Sequence, residues 1–143
     1  MSFICAIRIR GLVGVRQNLE ENLDRLRLKR KYSCVVLINP DKAQLGMIYK
    51  SKNDVAYGEI SKENFEKILE KRGQLIDKKK KLEDVKKISE GLEKGKKYSD
   101  FNLKPFFRLH SPRGGVKSTR LHYPKGILGS HGKDINKLLE KML

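Results

Sequence analysis

The side chains with usable chemistry are densest in the last third of the chain, where residues 101–143 carry nine basic and two acidic groups. Arg108, Arg113, Lys117, Arg120 and Lys125 alternate there with the rings of Phe106, Phe107, His110, His122 and Tyr123. A guanidinium pairs two phosphate oxygens at once, and an ammonium acts as a point charge. Rings stack on unpaired bases. A second cluster, Arg25, Arg27, Lys29, Arg30 and Lys31, puts five cations into seven residues. That is more positive charge than a helix C-terminus needs for its dipole. Arg10 and Arg16 flank a Gly11-x-x-Gly14 turn, and Lys50 and Lys52 form a fourth basic pair. The expected RNA-binding set is therefore Arg10, Arg16, Lys29, Arg30, Lys31, Lys50, Lys52, Arg108, His110, Arg113, Lys117, Arg120, His122, Tyr123 and Lys125.

The whole chain points the same way. Its 143 residues carry a formal net charge of +16, which is self-repulsive unless a polyanion neutralises it. A nucleic-acid backbone does so by releasing condensed counterions. An anionic membrane is the weaker fit, because no basic amphipathic helix with bulky aromatics is present. No apolar run approaches the roughly 18 residues of a membrane span. Met1-Ser2-Phe3-Ile4-Cys5 has no basic region ahead of its apolar run, so no signal peptide is expected.

Other chemistries are poorly served. His110, His122 and His131 lack metal-ligand spacing, and Cys5 and Cys34 are far apart in sequence. Both cysteines fall in apolar strands and are expected as buried free thiols. The Gly11-x-x-Gly14 turn resembles a phosphate loop but lacks its Lys-Ser/Thr, and it reads equally as a plain strand-to-helix turn. No nucleophile–base pair or carboxylate pair can be assigned. Neither catalysis, cofactor, metal ion nor small-molecule substrate is expected.

These side chains need elements to hold them. Residues 3–10 alternate as a strand, Phe3, Cys5, Ile7 and Ile9 on one face and Ile4, Ala6, Arg8 and Arg10 on the other, which turns basic. Val15, Leu19, Leu23 and Leu26 make one stripe of a helix over 16–30, with Lys29, Arg30 and Lys31 at its end. The continuous run 33–39 reads as a strand buried on both faces, of the parallel kind. A short helix over 42–52 and a strand over 54–60 complete strand–helix–strand–helix–strand, with both helices on one face. Ser61 caps a further helix that stops at Gly73, and 83–93 and 134–142 fit two more. Between 101 and 132, three prolines and five glycines predict irregular chain, either disordered or laid across a partner.

The strands Ile7-Arg8-Ile9-Arg10-Gly11 and Cys34-Val35-Val36-Leu37-Ile38-Asn39, with Gln44-Leu45-Gly46-Met47-Ile48, resemble the large-subunit ribosomal protein family called L-thirty in bacteria and L-seven in eukaryotes. The bacterial form covers about the first 60 residues. The continuation through Phe106-Phe107-Arg108-Leu109-His110-Ser111-Pro112-Arg113-Gly114-Gly115 to Gly129-Ser130-His131-Gly132 is similar to archaeal and eukaryotic members. Ser111 departs from the proline the resemblance leads one to expect. The resemblance implies an α/β fold: a small ferredoxin-like βαβαβ core over 1–60, with an antiparallel or mixed three-stranded sheet of order 3-1-2. A C-terminal extension over 61–143 would add short helices and a basic Gly/Pro-rich loop. It implies a structural role in the cytoplasmic ribosome, touching large-subunit rRNA near 5S rRNA and neighbouring ribosomal proteins, without catalysis. The composition alone leaves open a free-standing RNA-binding or RNA-chaperone module, and an RNA enzyme with an unrecognised site.

Overall fold

The computed structural model describes residues 3–11, 13–81, 84–116 and 118–143. The alternating segment at the start becomes β1 (Phe3–Arg8), the middle strand of a sheet. It pairs antiparallel with β2 (Ser33–Ile38) and with β3 (Val55–Glu59). Helix α1 (Gln17–Arg25) leads from β1 to β2, and α2 (Lys42–Lys50) from β2 to β3. β2 and β3 therefore run the same way with β1 opposed between them, the split crossover of a ferredoxin-like fold. The expected order 3-1-2 is present. Two strands from the extension widen it: β4 (Phe107–Arg108) lies antiparallel to β2 and β5 (Gly129–Gly132) parallel to β3, giving β4-β2-β1-β3-β5. The sheet has five strands rather than three.

The apolar run of β2 is buried as expected, yet its partners β1 and β4 are both antiparallel, not parallel. A continuous apolar strand reports that both faces are covered, and says nothing about direction. On one face Ala6, Val35 and Val55 meet Leu23, Leu26 and Leu28 of the α1 region and Ile48 of α2. Both early helices share that face. The opposite face of Phe3, Cys5, Ile7, Val36 and Ala56 is covered by α3 (Lys62–Arg72), α4 (Val85–Glu93) and α5 (Ile135–Met142). The stretch read as irregular feeds this same core: Phe101, Leu103, Phe107, Leu109, Ile127 and Leu128 are all buried. Gly58 shows how tightly the extension docks. A Cβ there would stand 2.3 Å from the Gly132 carbonyl oxygen of β5, closer than any side chain can approach.

Caps place the helices where the sequence suggested. The Ser61 hydroxyl accepts from the Asn64 amide at the start of α3, and Asp41 forms a reciprocal capping box with Gln44 at the start of α2. Helix α1 is the exception, ending at Arg25 rather than near residue 30. The Leu28 amide donates to the Leu23 carbonyl at 2.9 Å and the Arg27 amide to Asp24 at 3.0 Å, a Schellman closure. Leu28 is thereby buried, and Lys29, Arg30 and Lys31 stand on the following loop instead of the helix end. The closure holds Arg27 at φ 63°, where a Cβ is strained. Arg27→Gly should raise unfolding stability by about 1 kcal/mol, seen as a higher urea midpoint at unchanged slope. A lower midpoint would mean that the Arg27 side chain holds a contact of its own.

Arg8 does not make a basic sheet face. It is fully buried, and its guanidinium is spent on carbonyls: Nη1 donates to Leu28 at 2.7 Å, Nε to Arg10 at 3.0 Å and Nη2 to Gly11 at 3.4 Å. Cys5 and Cys34 are free and buried, their sulfurs 3.1 Å apart. Burial, then Cys34 itself, raises the Cys5 thiol well above its ordinary value, so it stays protonated and unreactive.

Candidate nucleic-acid interface

The strand directions gather the basic segments at one end of the sheet. β1 finishes there, β2 and β3 begin there, and β4 reaches it from the edge. The Asp54 carbonyl accepts from the amides of Ile9 and Arg10 at 3.0 and 3.3 Å. The Tyr32 amide donates to the Arg8 carbonyl, and the Leu109 amide to the Tyr32 carbonyl. His122 Nε2 donates to Asn53 Oδ1 at 2.8 Å, tying the extension loop to the turn before β3. Three loops distant in sequence thus meet around one cavity of about 330 Å³, lined by Arg10, Lys31 and Arg120 with Ile9, Gly11, Val13 and Thr119.

The electrostatics of this cavity are one-sided. Arg10 lies 3.9 Å from Asp54, whose side chain is 6% exposed, while the Arg10 side chain remains 45% exposed. That carboxylate holds one edge of the guanidinium and leaves much of the side chain toward solvent. The Lys31 ammonium sits over the Tyr32 ring at 5.0 Å, a cation–π contact that steadies it. Arg120 is exposed. Arg8 is the support beneath them, since its three carbonyl partners belong to the β1–α1 and α1–β2 loops.

The other expected residues fall into distinct places. Lys29 and Arg30 are exposed on the loop beside Lys31, Lys50 ends α2, and Lys52 is exposed in the turn before β3. Arg16 is exposed at the start of α1. Arg108 lies over the Phe106 ring at 5.7 Å on the edge strand β4. Lys125 is exposed. Lys117 lies outside the described residues. Two further side chains are partly engaged within the protein. His110 places Nε2 2.6 Å from the Leu143 carbonyl and Nδ1 2.5 Å from that of Ser111, which ties its ring to the end of α5. The Tyr123 hydroxyl donates to Asp134 and its ring packs on His131 at 4.5 Å. Arg113 is exposed, and its backbone amide donates to the Lys141 carbonyl. Sequence reasoning passed over Val13, which is 99% exposed beside the cations, and Asn53. An apolar residue between two glycines was the available signal for Val13. Asn53 had none.

No family model matches the chain. It is 40% identical over 149 residues to Large ribosomal subunit protein uL30 of Archaeoglobus fulgidus, covering 95% of this chain and 97% of that protein. The protein of the same description from Methanopyrus kandleri is 37% identical, covering 94% of this chain and all of the relative. The one from Methanococcus maripaludis is 39% identical, covering 96% and 97%. The chain belongs to the uL30 family. Membership bears out the resemblance carried by the Ile7–Gly11 and Cys34–Asn39 strands and the Phe106–Gly115 stretch. It also bears out the expectation that the chain is not an enzyme. In this uL30 chain the cavity of Arg10, Lys31 and Arg120 offers cations, backbone and an exposed aliphatic group, which are the means of holding a polyanion rather than transforming one.

Proposed function

We propose that this uL30 chain is a structural component of the large ribosomal subunit in the cytoplasm. In this reading it binds the large rRNA, near 5S rRNA and beside neighbouring ribosomal proteins, through the sheet end that carries Arg10, Lys31 and Arg120. The observation that carries the reading is the meeting of these three cations, from widely separated segments, around one open cavity. Lys29, Arg30, Lys52 and Arg108 extend the positive charge from adjoining loops and the edge strand. Val13 offers an apolar contact to a sugar or base. Such contacts fix the position of a protein on RNA without reading sequence.

Replacing Arg10, Lys31 and Arg120 together by glutamine tests the interface. The variant should bind a large-subunit rRNA fragment more weakly, and its plot of log affinity against log salt should be shallower by about three units. An unchanged slope would place the RNA elsewhere. Sedimentation of extracts at moderate salt tests the ribosomal role. The wild-type chain should travel with large subunits, whereas a slow-sedimenting pool would favour a free-standing RNA-binding or chaperone module.

A further inference from the structure

A second cavity, of about 310 Å³, lies between residues 115–116 and 123–127 on one side and α5 on the other, and no part of the interface above uses it. Its volume is at the small end for ligand sites, suited to a single nucleotide and too small for a duplex or a folded peptide. Two rings form one side: Tyr123 packs on His131 with centroids 4.5 Å apart and planes inclined by 33°. The Tyr123 hydroxyl is held by Asp134, and His131 Nε2 donates to the Ile127 carbonyl, so both rings are fixed before any ligand arrives. Burial lowers the His131 pKa, leaving a neutral imidazole at pH 7. Val116 and Leu138 supply aliphatic walls.

Charge lies on the α5 side. Lys137 and Lys141 are four residues apart and so share one helix face. Lys137 shares Asp134 at 3.6 Å with its side chain 81% exposed. The Lys141 ammonium has no ion pair among the described residues. Asp134 is the one opposing charge in the lining, and it is occupied by Tyr123 and Lys137. Fixed rings, an apolar wall and adjacent ammonium groups are what an unstacked base with its phosphate requires.

We propose that this cavity takes one nucleotide, its base against the Tyr123–His131 side and its phosphate on Lys141 and Lys137. The favoured source is an unpaired residue of the RNA, so the proposal rests on the RNA-binding reading; a free mononucleotide has the same chemistry. The test uses the full chain and two hairpins of identical stem, one fully paired and one with a single bulged 2-aminopurine. The wild type should bind the bulged hairpin about tenfold more tightly and quench its fluorescence. Val116→Trp, which fills the cavity, should abolish that preference and leave the paired hairpin's affinity unchanged. Lys141→Gln, an exposed change that cannot empty the core, should reduce the preference severalfold.

Equal affinity for both hairpins, with strong salt dependence for each, overturns an RNA base in the cavity and leaves the RNA-binding reading intact. Failure to bind either hairpin overturns both. Adenosine 5′-monophosphate at millimolar concentration separates the sources. Shifts of the His131 ring resonances that Val116→Trp removes, without any preference for the bulge, would assign the cavity to a free nucleotide. No shift and no preference would empty it of either.

Discussion

Affinity for a large-subunit rRNA fragment should fall about 10³–10⁵-fold between 50 and 200 mM monovalent salt. The estimate rests on six to ten phosphate contacts, a number the exposed cations of one sheet end can supply. Among the described residues three ion pairs form, and of the cations at this sheet end only Arg10 is a member of one. Lys29, Arg30, Lys31, Lys52, Arg108 and Arg120 therefore reach a partner without first breaking an internal salt bridge. Each phosphate they neutralise releases condensed counterions, and raising the salt reverses that entropy gain. Arg8 does not count toward the slope, because its charge is buried against carbonyls. The check is a filter-binding titration over that salt range. A change of less than tenfold would remove the electrostatic mechanism.

Arg8→Ala should cost about 3–5 kcal/mol of unfolding free energy, from two charge-assisted hydrogen bonds of good length and the space left behind. Against a typical domain stability of about 5–15 kcal/mol, that loss is large. The Leu28 carbonyl would be stranded in the interior, and the two loops that Arg8 clamps would lose their common anchor. Arg8→Lys keeps the charge but a single ammonium replaces the planar fork, so an intermediate loss is expected. Arg10→Ala is the contrasting variant: it should weaken RNA binding and barely move the urea midpoint. An Arg8→Ala midpoint equal to that of wild type would show that its hydrogen bonds contribute nothing net.

The central strands were legible because alternation and apolar runs are local signals. Phe3 to Arg8 and Ser33 to Ile38 appear where their patterns placed them, and Ser61 and Gly73 bound their helix as their chemistry requires. What failed was information the chain holds only in three dimensions. Strand direction is absent from an apolar run, so β2 was given the wrong sense. Arg8 looked like surface because a charge in an alternating strand ordinarily is; the carbonyl of Leu28, 20 residues away, makes its burial tolerable. β4 has two residues and β5 contains Gly129 and Gly132, both at positive φ. The first is too short and the second too glycine-rich to announce a strand, and each exists because a core strand offers an edge to pair with. At the interface, the types of Arg10, Lys31 and Arg120 were legible. Their meeting was not, because it depends on three strand ends and on the contact between His122 and Asn53.

The flanks of the sheet are contributed by residues 107–108 and 129–132, long after its middle strands. During synthesis the early strands must wait with open margins, one of them the apolar β2, until those late segments emerge. Unpaired margins of this sort invite neighbouring chains to join them. A nascent chain halted near residue 100 would be a seed for aggregates.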